Sequence, residues 1–165
     1  MRFVVEDGTG LSDATSYASI EYANEYADTF FSEAEHIIWD SLTENQKKRF
    51  LNRSTAYIDR SFVFPYTKLD DDQALMFPRQ TLEVPNALLQ AVCLVSIREA
   101  QGVDLEPDLA RGGKVIRERV DVLETVYSEG ASPYTVFTQI ENLLYSHGLI
   151  TSKMGRGNNI TLRQA

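Results

Sequence analysis

Apolar residues recur at helical spacing in four stretches of this chain. Ile20, Ala23, Tyr26, Ala27, Phe30 and Phe31 follow Ser19, a residue suited to an N-cap. Phe50, Leu51, Tyr57 and Ile58 line one side of a second stretch toward Phe62, opened by the capping box Thr43-x-x-Gln46. A third runs from about Asn86 to Gln101, with Pro85 at its first helical position and Gly102 as its stop. It carries Leu88, Leu89, Ala91, Val92, Cys93, Leu94, Val95 and Ile97, apolar on almost every side, which predicts the central helix. The fourth follows Ser132 and Pro133, carries Val136, Phe137, Ile140, Leu143 and Leu144, and ends at Gly148.

Between the third and fourth stretches the pattern changes. After Gly112 and Gly113, the run from Lys114 to Tyr127 is β-branched and partly alternating, which predicts a β-hairpin turning near Asp121 and Val122. Residues 7–19, rich in Gly, Ser, Thr and Asp, read as an extended lead-in, and the segment around Ile37-Ile38-Trp39 as a helix end. The expected fold is mainly α: a four-helix domain with one β-hairpin and flexible N- and C-terminal arms. Its expected boundaries are 1–148 for the helical domain, with the hairpin at about 114–128, and 149–165 for a flexible basic tail.

Composition narrows the class. The chain has 165 residues, 43% hydrophobic and 24% charged, enough apolar surface for one core. The opening apolar run is broken by Glu6 and Asp7, so no signal peptide is expected there. No stretch is long enough to predict a membrane span. The single cysteine, Cys93, in an apolar helical run, fits a buried thiol in a reducing compartment. Net charge is −8, which argues against a surface devoted to phosphate. The tail beyond Gly148 holds Lys153, Arg156 and Arg163 and no acid, which leaves −11 for the rest.

Candidate chemistry is sparse. His36 lies among Glu33, Glu35 and Asp40, but adjacent helical residues point to different faces; His147, in a last turn, suits a helix C-terminus. Consecutive Asp70, Asp71 and Asp72 cannot converge on one cation and lack the alternation of a calcium loop. Gly112-Gly113-Lys114 lacks the frame of a phosphate loop, and no zinc-ligand spacing or nucleophile elbow occurs. No enzyme activity and no cofactor or metal are therefore expected. Tyr22, Tyr26, Phe30 and Phe31 could stack nucleic-acid bases, but Glu21, Glu25, Asp28 and Glu33 share the segment, so a core stripe is the favoured reading. Trp39 reads as a core or interface anchor.

Four blocks in order carry a family likeness. They are Val4-Val5-Glu6-Asp7-Gly8-Thr9-Gly10-Leu11 with Asp13-Ala14-Thr15-Ser16-Tyr17 and Ser19, Gln73-Ala74-Leu75-Met76-Phe77-Pro78-Arg79, Val84-Pro85 before the apolar helix, and Arg111-Gly112-Gly113-Lys114-Val115 before the hairpin. Up to Gly148 the chain resembles a tailed-phage family often labelled DnaT-like and grouped with head–tail connectors. It departs at Phe77, where a Trp is expected, and at Asp121-Val122, where a Gly-Pro pair is expected.

The resemblance implies a virion neck adaptor made in the host cytoplasm: a homo-oligomeric ring, usually of twelve subunits, between the portal protein and the next neck or tail-completion protein. Double-stranded DNA would pass through it without specific binding, and no membrane would be involved. Under that reading Lys153, Met154, Arg156, Ile160, Leu162 and Arg163 would dock on the portal. Val115, Arg117, Arg119, Val122, Leu123 and Tyr127 of the hairpin would contact neighbouring subunits. The alternative takes the label literally, as a single-stranded-DNA-binding protein of replication restart. An enzyme acting on nucleotides would need an acid–base constellation that the residues do not supply.

Overall fold

The computed structural model describes residues 2–80, 83–106, 117–120, 123–126 and 137–153, with backbone alone for 117–120, 123–126 and 152–153. Among them are five helices: α1 (Ile20–Phe30), α2 (Glu33–Ser41), α3 (Glu44–Ser61), α4 (Asn86–Ala100) and α5 (Thr138–Ser146). The mainly helical expectation holds, with one helix more than the four anticipated. The helix end expected around Trp39 is the C-terminal part of a short helix of its own, α2, which stops at Ser41 with Leu42 N–H donating to Trp39 O. Ser32 accepts from the Glu35 backbone N–H while the Glu35 carboxylate accepts from the Ser32 N–H, closing a capping box in which a short helix can start. α3 begins the same way, through Thr43 and Gln46.

α4 is the central helix, packed against α3, α5, α2 and α1. Leu88, Ala91, Val92, Val95 and Ile97 are fully enclosed, and Leu51 and Ile58 of α3, Trp39 of α2, and Ile140 and Leu144 of α5 close around them. Gly102 lies at φ +88° and ends α4. Its N–H donates to Glu99 O and that of Val103 to Arg98 O, the paired bonds of a Schellman motif. Gly148, at φ +65°, ends α5 in the same way, with Leu149 N–H donating to Leu144 O at 2.9 Å.

Both expected arms join the fold where they are described. Ala14, Tyr17 and Ala18 are buried, and Val5 forms a parallel bridge with Ser16. The buried Glu6 carboxylate accepts the N–H groups of Gly8, Gly10 and Leu11, so residues 6–11 wrap around their own anion. The N-terminal segment is therefore packed, not a flexible arm: it meets enough internal partners to offset its ordering entropy. Beyond Gly148, Leu149 and Ile150 are buried. β4 (Ser152–Lys153) then pairs antiparallel with β1 (Phe62–Val63), Phe62 opposite Lys153. The expected hairpin is present as β2 (Arg117–Val120) and β3 (Leu123–Val126), paired from Arg117 opposite Val126 to Val120 opposite Leu123.

The loop between β1 and α4 is held by side chains. Tyr17 Oη donates to Asp59 Oδ1 at 2.7 Å, Met76 N–H donates to Asp59 Oδ2 at 3.0 Å, and Phe77 N–H donates to Tyr17 Oη at 3.0 Å. Gln73, buried, accepts from Asp70 N–H and donates to the carbonyls of Leu75 and Pro78. Arg79 donates to the carbonyls of Tyr66, Met76 and Phe64, with its guanidinium 5.7 Å from the centre of the Phe77 ring.

Candidate nucleic-acid interface

α1, which packs on α2, α4 and α3, buries its smallest residues. Ala23 and Ala27 are buried, four residues apart on the face that α1 turns to the core. The larger residues are pushed to the flank. Tyr22 and Tyr26 lie near parallel with ring centres 6.4 Å apart, and Phe30 continues the row 4.8 Å beyond Tyr26. Phe31 packs edge-on to Tyr26 at 5.8 Å and to Trp39 at 6.1 Å, which ties the row to the core. Phe30 is 64% exposed. The aromatic positions are thus a half-exposed ladder leaning on the core, not a fully buried stripe; the alanines take the buried face.

Neighbouring groups fix the ladder's two edges. Tyr22 Oη donates to Asn86 Oδ1 of α4 at 2.5 Å, and burial pushes the Tyr22 phenol up to about 12. Burial also raises Tyr26, with smaller contributions from Cys93 and Glu35. Glu35 in turn faces Arg98 of α4 at 3.4 Å. Beside Arg98 opens a cleft of about 220 Å³, lined by Leu94, Arg98, Phe137, Thr138, Gln139 and Ile140. Glu21, Glu25 and Asp28 of α1 and Glu33 of α2 are all exposed, Asp28 bound to His36.

Below the ladder, Trp39 Nε1 and Lys47 Nζ both donate to Asn24 Oδ1 at 2.9 Å, with Lys47 over the indole. Trp39 is a buried anchor. The exposed cations of α3 share one face, Arg49, Arg53 and Arg60 at i, i+4 and i+11. Arg53 is taken by Glu99 at 2.7 Å and Arg60 by Glu106 at 2.9 Å, so this stripe is largely neutralised. A positively charged sequence does occur elsewhere: Arg111, Lys114, Arg117 and Arg119 against the single acid Glu118. It lies between α4 and α5 in sequence.

The other candidates resolve into structural roles. His36 Nε2 lies 2.8 Å from Asp28 Oδ1 and Nδ1 3.5 Å from Asp40, and the hydrogen bond to Asp28 raises its pKa. It links α1 to α2. His147 caps α5, with Nδ1 2.9 Å from Leu143 O. Asp70 accepts from Asp72 N–H in a turn, and burial pushes the Cys93 thiol up to about 12, away from nucleophilic chemistry. No group of side chains suited to a metal occurs among the described residues, and no described helix is long and apolar enough to cross a membrane. A second cleft, of about 330 Å³, is lined by Glu6, Asp7 and Glu83 and would repel an anion.

Of the residues expected to make contacts, Arg117 and Arg119 lie in β2, Leu123 in β3 and Lys153 in β4, as backbone positions. Val115, Val122, Tyr127, Met154, Arg156, Ile160, Leu162 and Arg163 lie outside the described residues. Tyr22, Tyr26 and Phe31 do pack against the core as the sequence suggests, but only partly buried, while Phe30 is exposed.

A family model described as "Putative DnaT-like ssDNA binding protein" matches residues 1–164. No curated protein and no solved structure matches the chain. The family's description corrects the expectation of a virion neck, head–tail connector and portal-binding role, because it speaks of binding single-stranded DNA. For the same reason it stands against double-stranded DNA passing by unbound. Nothing in these comparisons supports a ring of twelve.

Proposed function

The chain belongs to this DnaT-like family, and from that premise we propose that it binds single-stranded DNA with little sequence preference, as a binding module and not an enzyme. The observation that carries the reading is the half-exposed ladder Tyr22–Tyr26–Phe30. Every base has a π-face, so stacking on such rings is tolerant of sequence, at about 1–3 kcal/mol per base. The cleft lined by Leu94, Arg98, Phe137 and Gln139, with Arg98 already facing Glu35, would extend the contact beyond the rings. The positive sequence at 111–119 would supply further phosphate contacts.

The acidic surroundings set the character of the binding. With exposed carboxylates on the same helix and a net charge of −8, stacking must supply most of the affinity and phosphate contacts little. Duplex DNA hides its base faces, so it should bind far more weakly than a single strand. Titration of a labelled thymidine oligonucleotide and of a duplex of equal length, at low salt, tests this. The single strand should bind and the duplex should not compete; equal binding of both, or of neither, would refute the proposal.

A further inference from the structure

Tyr66, in the loop after β1, is the one residue other than glycine with a positive φ among the described residues, at +66°. That region crowds the Cβ of an L-residue, so glycine or asparagine ordinarily fills it, above all directly after a proline such as Pro65. A tyrosine there carries a backbone cost that the surrounding loop must impose.

The loop imposes it from both sides. Phe64, just before, is buried with its ring 5.1 Å from that of Phe77. The Arg79 guanidinium donates to Tyr66 O at 3.0 Å and to Phe64 O at 3.4 Å. Beyond the turn, Lys68 bridges antiparallel to Arg79. Gln80 N–H donates to Thr67 O at 3.1 Å, and Leu69 N–H to Pro78 O at 3.2 Å.

The side chain takes no part in this clamp. The Tyr66 ring is 61% exposed, with no ring contact and no hydroxyl hydrogen bond among the described residues. Glycine would hold the same backbone without the crowding, so the fold gives no reason for a tyrosine here. The outward ring supplies one. An aromatic face fixed by its backbone has little freedom left to lose on binding, which makes it a pre-organised stacking surface. A flat ring presented singly suits a flat partner, and every base has a π-face. A peptide side chain would look for a groove around the ring, and neither of the two clefts described above includes Tyr66.

We infer that Tyr66 is a second stacking post, which takes one base of a single strand on its exposed face. The inference rests on the single-strand reading above, but not on the ladder, since α1 builds the ladder and Arg79 holds the post.

The test titrates the labelled thymidine oligonucleotide into the full-length wild type, Phe30→Ala, Tyr66→Gly and Tyr66→Phe. Tyr66→Gly should bind about 5- to 150-fold more weakly, the loss of one stack. It should melt no lower than the wild type, because the crowding is relieved. Tyr66→Phe keeps the π-face and should bind like the wild type. An oligonucleotide carrying iodouracil, which crosslinks under ultraviolet light to an aromatic ring stacked on it, should mark Tyr66. A Tyr66→Gly protein that binds as tightly as the wild type would overturn the post and leave the ring to a protein partner. Melting of that variant well below the wild type would give the ring a structural role and overturn it equally. Binding lost in Phe30→Ala alone would leave the ladder standing without the post, and binding lost in Tyr66→Gly alone would do the reverse. If the wild type binds no single strand, both fall.

Discussion

Tyr17, Asp59, Gln73 and Arg79 each use a polar group to order backbone that has no regular structure of its own. Asp59 is the sharpest case. Burial raises its carboxyl from the ordinary 3.8 to about 6, although Tyr17 and Met76 both donate to it. The folded chain therefore holds that proton more tightly than the unfolded chain does. Stability from this group is full below the unfolded value and is lost as pH rises to about 6. Thermal melts of wild type and Asp59→Asn, taken from about pH 4 to about pH 7.5, should show the wild type losing ground relative to the variant across that window; parallel curves would contradict the shift. At Arg79 the guanidinium serves three carbonyls, and a lysine cannot keep that fork. Arg79→Lys should cost about 1–3 kcal/mol in denaturant unfolding. The family-like blocks at 4–11 and 73–79 were legible as motifs, but not as structure. Their partners lie far away in sequence: Asp59 meets Tyr17 from 42 positions on, and Ala74 N–H donates to Leu11 O.

Among the elements, those with a local cause were the readable ones. Thr43 and Gln46 announced α3, and Pro85 and Gly102 bracketed α4. The equivalent box of Ser32 and Glu35 is a weak sign by itself, because nine residues give α2 too short an apolar period to stand out. Ser32→Ala should therefore cost about 1 kcal/mol by thermal melting, with a loss of helical circular dichroism signal confined to about one short helix. The β1–β4 pairing was illegible for a different reason. Two-residue strands carry no alternation, and residues 63 and 152, far apart in sequence, are held together in a fold where α5 packs on α4. Gly148→Ala tests that closure. A side chain at φ +65° opposes the turn that ends α5, and the variant should lose about 1 kcal/mol together with protection of the Thr151 amide, which donates to Val63 O.

At the scale of the molecule, charge and the aromatic ladder act against each other. A chain of net charge −8 has little long-range attraction for nucleic acid, so the proposed binding depends on contact chemistry. Engaging about three phosphates gives a log–log salt slope near −2, at roughly −0.7 per phosphate for single strands. A slope several times steeper would mean that a basic surface, not the ladder, carries the affinity. The ladder itself was half legible. Its residues and their possible stacking role were plain in the sequence, but the choice between core and surface turned on Ala23 and Ala27, which take the buried face of α1 and leave the rings half-exposed.

Phe30→Ala provides the most direct measurement. Its ring is 64% exposed and terminates the ladder, so its removal leaves the core intact. Thymidine-oligonucleotide affinity should fall about 5- to 150-fold, the equivalent of one lost stack of about 1–3 kcal/mol, with the melting temperature within a few degrees of wild type. A folded Phe30→Ala protein that binds the strand as tightly as wild type would contradict a single-stranded-DNA platform on α1.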